Sequence, residues 1–207
     1  MIIPSPIKNP RLVKERRQQI IEGAVTLFAQ KGFHKTTTRE IAKACGLSIG
    51  SLYEYIQTKE DVLYLVCENI HNSLEEELRK AIRPEMNGLV ALRSAIGAYF
   101  KLMETMRSSI LLIYQETKSL PKEKRELVFM REEEIMQLFI QVMELGQQDG
   151  SLRLDQAIIP LLAHNILVLG QMWTFRQWSL KKSYSHDEFV ELQLDHLLRN
   201  LPTKESV

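Results

Sequence analysis

Apolar residues recur every three or four positions along most of the chain, which is the spacing of amphipathic α-helices. The first such stripe predicts a helix from Leu12 to Lys31. Lys31 and Gly32 predict its end, because glycine enters a left-handed turn without steric cost. The apolar members of the stripe are Ile20, Ile21, Ala24, Leu27 and Phe28.

The stretch Thr36–Lys59 holds two short apolar segments separated by a glycine. A run of threonines can cap the first segment, and Gly46 ends it. Ser48 can cap the second segment, and Thr58 followed by Asp61 approximates the capping box of a longer helix. Two short helices joined by a tight turn are typical of a helix-turn-helix, whose second helix enters a major groove.

Longer helical patterns follow, and no strand-length alternating run competes with them. The fourth helix is predicted from Lys59 to about Arg83, and Asp155 and His186 or Asp187 are start signals for the last two helices. The other helices are predicted near residues 88–106, 107–118, 123–148, 155–180 and 186–200. The predicted fold class is therefore all-α, with an N-terminal helix-turn-helix three-helix domain and a larger C-terminal helical bundle.

Composition shifts suggest how the chain is divided. Three prolines among the first ten residues predict a flexible basic arm over residues 1–11. The other predicted divisions are a helix-turn-helix domain over 12–58, a connecting helix over 59–84, a ligand-binding and dimerisation domain over 85–200 and a tail over 201–207.

The charge is distributed unevenly along the chain. Residues 1–59 contain ten Lys and Arg against four Asp and Glu, a net charge of +6, while the remainder carries −5. A basic N-terminal part suits a polyanionic partner, and the acidic remainder argues against a body that wraps nucleic acid.

Other kinds of chemistry have little support in the sequence. Cys45 and Cys67 stand at unrelated positions, so neither a disulfide framework nor a zinc site is expected. The chain contains no GxSxG, Gly-rich phosphate loop or HExxH motif, and we expect no enzyme, cofactor or metal. It also lacks a signal-peptide pattern and a long apolar run, so we expect a cytoplasmic protein without a membrane partner.

Residues 18–67 resemble the DNA-binding domain of TetR-family transcriptional repressors. The resemblance is carried by AVTLFAQKGFHKTTTREIAKACGLSIGSLYEYIQTKEDVL, which has the order and spacing of the family motif without insertions. It departs at Ile56, where the family usually has phenylalanine, a core change that conserves most of the volume. The C-terminal part resembles the family only in plan, including the GQQDGSLRLD turn between long helices.

Candidate DNA contacts lie at the start of the second helix. The hydroxyls of Thr37 and Thr38 stand at a helix N-terminus and can hold a phosphate, although either threonine can instead cap the helix. Arg39 is expected to reach a base edge or a phosphate.

The third helix supplies the other candidate contacts. Ser48, Gly50 and Ser51 are small enough for the helix backbone to approach the groove floor, and Ile49 could pack on a thymine methyl. We expect the side chain of Tyr53 to pack partly against the core and to contact a phosphate through its hydroxyl. The resemblance implies that Tyr55 and Lys59 grip the phosphate backbone. Because this helix lacks Lys and Arg, affinity is expected to depend on the N-terminal arm and on the flanking cations Arg39, Lys35, Lys43 and Lys59.

The resemblance also implies a small-molecule pocket among the middle helices and a dimer interface in the last two. An aromatic and Met-rich set of side chains suits an adaptable apolar pocket, although each of its members can equally be plain core. Gln115, Glu116 and His164 could orient a ligand there. The candidate pocket residues are Tyr99, Phe100, Met103, Tyr114, Phe139, Met143, His164, Met172 and Trp173.

The function expected from the sequence is a homodimeric repressor that binds a palindromic double-stranded operator. A small, largely apolar effector, such as an acyl-CoA, would relieve repression. The alternative is a helical adaptor that binds DNA and acts through a protein partner without a small ligand. A cavity of a few hundred cubic ångströms would favour the effector, and a solid core would favour the adaptor.

Overall fold

The computed structural model describes residues 3–199 and Leu201. Within them the chain forms nine α-helices and no β-strand, which confirms the all-α class. The helices are α1 (Pro10–Lys31), α2 (Thr38–Ala44), α3 (Ile49–Tyr53), α4 (Lys59–Ala81), α5 (Gly88–Thr105), α6 (Arg107–Glu116), α7 (Lys122–Asp149), α8 (Ile159–Leu180) and α9 (His186–Arg199). A 3-10 turn, Thr117–Ser119, follows α6. Apart from Leu201, the predicted tail over 201–207 lies outside the described residues.

The chain before α1 is packed rather than free. Ile3 is buried, and Arg17 donates a hydrogen bond of 2.5 Å to its carbonyl oxygen. Helix α1 begins at Pro10, whose missing N–H costs nothing in the first turn, and the side chain of Asn9 caps it. The flexible basic arm over 1–11 stays a prediction, while the structure adds that its last two residues already belong to α1.

Helix α8 begins four residues later than its start signal predicts. Asp155 instead holds the preceding turn, where its side chain accepts a hydrogen bond of 2.9 Å from the N–H of Ala157. The helix proper starts at Ile159 with Pro160 in its first turn, a position that proline favours. At α9 the cap is Ser185, which sequence analysis did not select.

The described residues fall into two compact units. The first comprises the chain up to Ile70 together with Ser108–Met130, and the second comprises His71–Arg107 and the chain from Arg131 onward. Helices α4 and α7 therefore contribute residues to both units. The first unit contains the predicted helix-turn-helix, and α5, α8 and α9 belong to the second.

Close backbone approaches fix the second unit. A Cβ added to Gly170 of α8 would lie 2.4 Å from the ring of Tyr99 on α5, so the ring rests on this glycine. A Cβ added to Gly88 of α5 would lie 2.1 Å from the backbone of Gly146 on α7. These helices pack at distances that only glycine permits.

We expect Gly88→Ala to lower the free energy of unfolding by about 3 kcal/mol, because the methyl group collides with backbone that cannot move aside. The matched control is Gly97→Ala on the same helix, where an added Cβ meets only a leucine methyl at 3.8 Å. That change should raise stability by about 0.5–1 kcal/mol. Urea unfolding followed by circular dichroism measures both, and equal stability of the two variants would contradict the packing argument.

Candidate nucleic-acid interface

A reciprocal cap begins α2. The side chain of Thr37 accepts the N–H of Glu40, and the Glu40 carboxylate accepts the N–H of Thr37 at 2.9 Å. Lys31 also donates to this carboxylate at 2.5 Å, and these hydrogen bonds lower the pKa of Glu40 to about 2. The Thr-x-x-Glu spacing was the signal for this capping box, which sequence analysis did not use. Thr37 thus has a structural task in addition to the predicted phosphate contact.

Two hydroxyls from different helices meet on the exposed side of the helix-turn-helix. Thr38 at the start of α2 lies 3.1 Å from the Tyr53 hydroxyl at the end of α3. Tyr53 is 49% exposed, so its ring leaves the core and its hydroxyl is accessible to a ligand. The pair brings two groups that can donate to phosphate oxygens to one place.

The surface of α3 is small and uncharged. Ser48 caps the helix by accepting the N–H of Ser51 at 3.0 Å, which confirms its predicted capping role. Ile49 and Gly50 are exposed beside it. A Cβ added to Gly50 would meet nothing closer than the Ser48 hydroxyl at 3.8 Å, so the fold does not need glycine there. An accessible glycine that packing does not require leaves room for a close approach from outside.

Tyr55 does not belong to this surface. Its side chain is only 5% exposed, although sequence analysis placed it on the outward face of the third helix. The reason is that α3 ends at Tyr53 and the chain turns, so Tyr55 points inward with the buried Ile56 instead of continuing the helical face.

Lys59 is tied to its own unit. Its ammonium donates to the carbonyl oxygens of Phe33 at 2.8 Å and His34 at 3.1 Å, and it lies 4.5 Å from the centre of the Phe33 ring. Lys59 therefore joins the start of α4 to the end of α1, which is an internal role beside the predicted phosphate contact. Arg39, Lys35 and Lys43 are exposed and supply positive charge around the helix-turn-helix.

Most of the predicted pocket residues are packed core. Tyr99 and Phe139 meet edge to face with ring centres 5.7 Å apart, and Trp173 and Phe189 lie 5.1 Å apart. The Trp173 indole donates to Glu104 at 2.7 Å. The predicted pocket residues that are buried in this way are Tyr99, Phe100, Met103, Phe139, Met143 and Trp173.

The structure corrects the placement of the other predicted pocket residues. Tyr114 is 70% exposed and belongs to the first unit, so it does not line the aromatic interior. Glu116 also belongs to the first unit, where its carboxylate lies 3.5 Å from His34. His164 is exposed rather than enclosed by apolar residues, and Met172 is half-buried on α8. Helical spacing alone could not show which neighbours these side chains meet.

Described residues of the second unit line an apolar cavity and an open surface cleft. The cavity has a volume of about 150 Å³ and is lined by residues of α5, α7, α8 and α9, together with Leu201. Met143 is the predicted pocket residue that it contains. Its other lining residues are Leu92, Ile96, Leu162, Ile166, His196 and Leu197. The cleft has a volume of about 530 Å³ and lies next to Glu104, Trp173 and His186.

Comparison with known proteins places the fold and the helix-turn-helix in a family. The sequence-family model described as "Bacterial regulatory proteins, tetR family" matches residues 20–64. A second family model, described as "Tetracyclin repressor-like, C-terminal domain", matches residues 85–178. The chain belongs to the TetR family. It is therefore a transcriptional regulator with a helix-turn-helix DNA-binding domain, in a family whose members bind operator DNA, dimerise and are generally not enzymes.

Relatives match this TetR-family chain over most of its length. The HTH-type transcriptional regulator HbdR of Aromatoleum sp. (strain CIB) is 29% identical over 189 residues, which cover 91% of this chain and 82% of that protein. The crystal structure of a tetR-family regulatory protein from Rhodococcus RHA1 is 25% identical, with a TM-score of 0.79 over 91% of this chain and 97% of that one.

A further solved structure shares the fold. AibR in complex with isovaleryl coenzyme A and operator DNA has a TM-score of 0.74 at 21% identity, over 88% of this chain and 98% of that one. Across residues 3–199 and 201, none of the helices combines the length and apolar character that a membrane crossing requires.

Proposed function

We propose that the protein is a homodimeric repressor that reads a palindromic operator with α3 and is released from it by an effector with a small apolar group. The observation that carries this proposal is the exposed, uncharged surface of α3 around Ile49 and Gly50, beside the Thr38–Tyr53 hydroxyl pair. A major groove accepts a helix whose contact residues are small, and hydroxyls at its edge can bind the phosphates that set its register.

Sequence preference and affinity come from different parts of this surface. Ile49 and Ser51 are the side chains of α3 that can meet base edges, because Ile49 is exposed and Ser51 is half-buried beside it. Arg39, Lys35 and Lys43 carry the charge that draws the protein to DNA of any sequence. Substitutions of Ile49 or Ser51 should alter which DNA sequence is preferred. Substitutions of Arg39, Lys35 or Lys43 should lower the affinity for DNA of every sequence.

We expect specific, salt-sensitive binding to DNA from the protein's own upstream region, at least about a thousandfold tighter than to random duplex.

Gly50→Ala should weaken operator binding about tenfold, a cost of about 1.4 kcal/mol, because a methyl group enters the space that the groove floor occupies. The fold should tolerate the change, since the position is open. Fluorescence anisotropy on both duplexes measures this.

Gly97→Ala is the matched control for that experiment, because it also adds a methyl group to a helical glycine, but in the second unit. It should leave operator affinity unchanged. Wild-type protein that binds the operator no more tightly than random duplex would refute the repressor proposal. An unchanged affinity of Gly50→Ala would refute the close approach of α3.

The dimer interface is supported by a stripe on α8. Leu161, Asn165 and Val168 are exposed and Met172 and Phe175 are half-buried, at spacings that place them on one helix face. Leu161 is 53% and Val168 is 64% exposed, so the stripe presents apolar surface that a partner could cover. A second copy of the same face would cover this stripe symmetrically.

We expect Val168→Glu to convert the protein to a monomer and to lower operator affinity strongly, because a palindrome is bound through both half-sites. The side chain is exposed, so the monomer should keep its helical content. Val90→Glu, at an exposed valine of α5, is the control and should remain dimeric. Sedimentation velocity measures the oligomeric state. A Val168→Glu variant that stays a dimer would exclude this stripe as the dimer interface.

The effector proposal is supported by the isovaleryl coenzyme A in the structurally similar AibR and by an apolar cavity in the second unit. At about 150 Å³ this cavity is smaller than the few hundred cubic ångströms expected from the sequence for a whole effector, so it would receive only a small apolar group. An apolar space of this size holds about six non-hydrogen atoms, since engineered cavities of about 150 Å³ bind benzene. It therefore suits a short branched or cyclic acyl group. The packed state of the surrounding aromatic residues is the observation that favours the adaptor alternative, in which no small ligand binds.

We expect acyl-CoA thioesters with short branched or cyclic acyl groups to release the operator, and free coenzyme A to have no effect. Leu162→Trp, which fills the cavity from its half-buried wall, should bind the operator normally and lose the response. Val90→Trp, at an exposed site outside the lining, should keep it. Anisotropy titrations measure release, and a panel without any active thioester would favour the adaptor.

A further inference from the structure

The first turn of α4 holds the backbone that leaves the recognition helix. One carboxylate oxygen of Asp61, Oδ2, accepts the N–H of Gln57 at 2.7 Å and the N–H of Thr58 at 2.8 Å. The Asp61 N–H in turn donates a hydrogen bond of 3.2 Å to the hydroxyl oxygen of Thr58, which completes the capping box predicted from sequence. The two residues held in this way follow directly after the buried Ile56, in the turn between the end of α3 and the start of α4, so the carboxylate holds that turn.

The other oxygen of Asp61 faces α7. Lys124, in the first turn of that helix, donates a hydrogen bond to Oδ1. The side chains of Lys124 and Asp61 are only 12% and 6% exposed, unlike the surface ion pairs of the chain. Burial by itself would raise the pKa of Asp61, but the hydrogen bonds from Lys124 and the two backbone N–H groups outweigh it and hold the pKa below its ordinary value. The carboxylate is therefore ionised at neutral pH.

A buried ion pair fixes geometry more than it adds stability, because desolvation offsets much of its attraction while an unpaired buried charge is costly. This pair has a further consequence, since Asp61 uses its two oxygens for two different elements. Any displacement of Lys124 relative to α4 must either break the pair or move the carboxylate that positions residues 57 and 58. Lys124 lies too deep to serve as a phosphate contact.

We infer that Asp61 and Lys124 are positioning residues for operator recognition, which set the orientation of α3 from α7 without touching DNA. The inference rests on the proposed function of α3 as the operator-reading helix. It assigns a role to Lys124, which stands outside the helix-turn-helix in sequence and which no motif singles out.

The test uses the full-length protein with Lys124→Met, which keeps the apolar stem, removes the ammonium and leaves the cap of Asp61 in place. Its matched control is Lys122→Met on the same turn of α7, an exposed lysine 3.8 Å from Glu126. Anisotropy is measured on operator and random duplex at several salt concentrations, at a temperature well below the unfolding midpoint of each variant.

We expect Lys124→Met to lower operator affinity at least about fivefold, with unchanged affinity for random duplex and an unchanged salt slope, because no phosphate contact is lost. Lys122→Met should match wild type. Asp61→Asn keeps one oxygen that can accept the N–H groups of Gln57 and Thr58, and it removes the charge that pairs with Lys124, so it should reproduce the loss. The double variant should bind no more weakly than either single variant, since both remove the same pair.

Two results would overturn the inference. Equal losses on both duplexes with a shallower salt slope would make Lys124 a phosphate contact. Unchanged operator affinity in both Lys124→Met and Asp61→Asn, with only a lower unfolding midpoint, would leave the pair a purely structural one. The proposed function itself fails only if wild-type protein does not prefer the operator, so the two failures are separate.

Discussion

The carboxylate of Asp61 is the contact on which the geometry of the DNA-binding unit depends. It joins the turn between α3 and α4, the start of α4 and the first turn of α7 in one buried site. Lys59, two residues earlier, ties the same turn of α4 to the end of α1 through the carbonyl oxygens of Phe33 and His34. Since α3 has only five residues and cannot hold itself in place, its orientation depends on the elements packed around it.

This arrangement separates charge from sequence reading. The first turn of α4 uses the charges of Lys59 and Asp61 internally, whereas Arg39 and Lys43 of α2 are exposed. Helix α3 carries no cation and presents Ile49, Gly50 and small hydroxyls. On the proposed function, attraction to DNA would depend on salt and little on sequence, while discrimination would depend on how closely the backbone of α3 approaches the bases. A fixed orientation of α3 would then contribute more to discrimination than an additional cation.

Helix ends and caps, whose partners lie a few residues away, were predictable from the sequence. Contacts between residues far apart in the chain were not. The ends of α1 and α2 and the caps at Ser48 and Thr58 follow from residue types whose partners lie within a few positions. Tyr55 was misplaced because the stop of α3 after one and a half turns depends on tertiary packing rather than on a local breaker. The pairing of Asp61 with a lysine 63 positions away had no local signal at all.

In the interior of the second unit, too, the sequence did not reveal which residues distant in the chain meet each side chain. Aromatic and methionine side chains at helical spacing fit both a ligand pocket and a solid core, and the choice depends on what faces them. Here Tyr99 rests on Gly170 and meets Phe139 edge to face, so complementary shapes from other helices fill the space. The apolar cavity lies instead where smaller aliphatic residues of α5, α8 and α9 meet Met143. Because a filled aromatic core moves only at the cost of its packing, an effector that enters the cavity must be small or must displace α9.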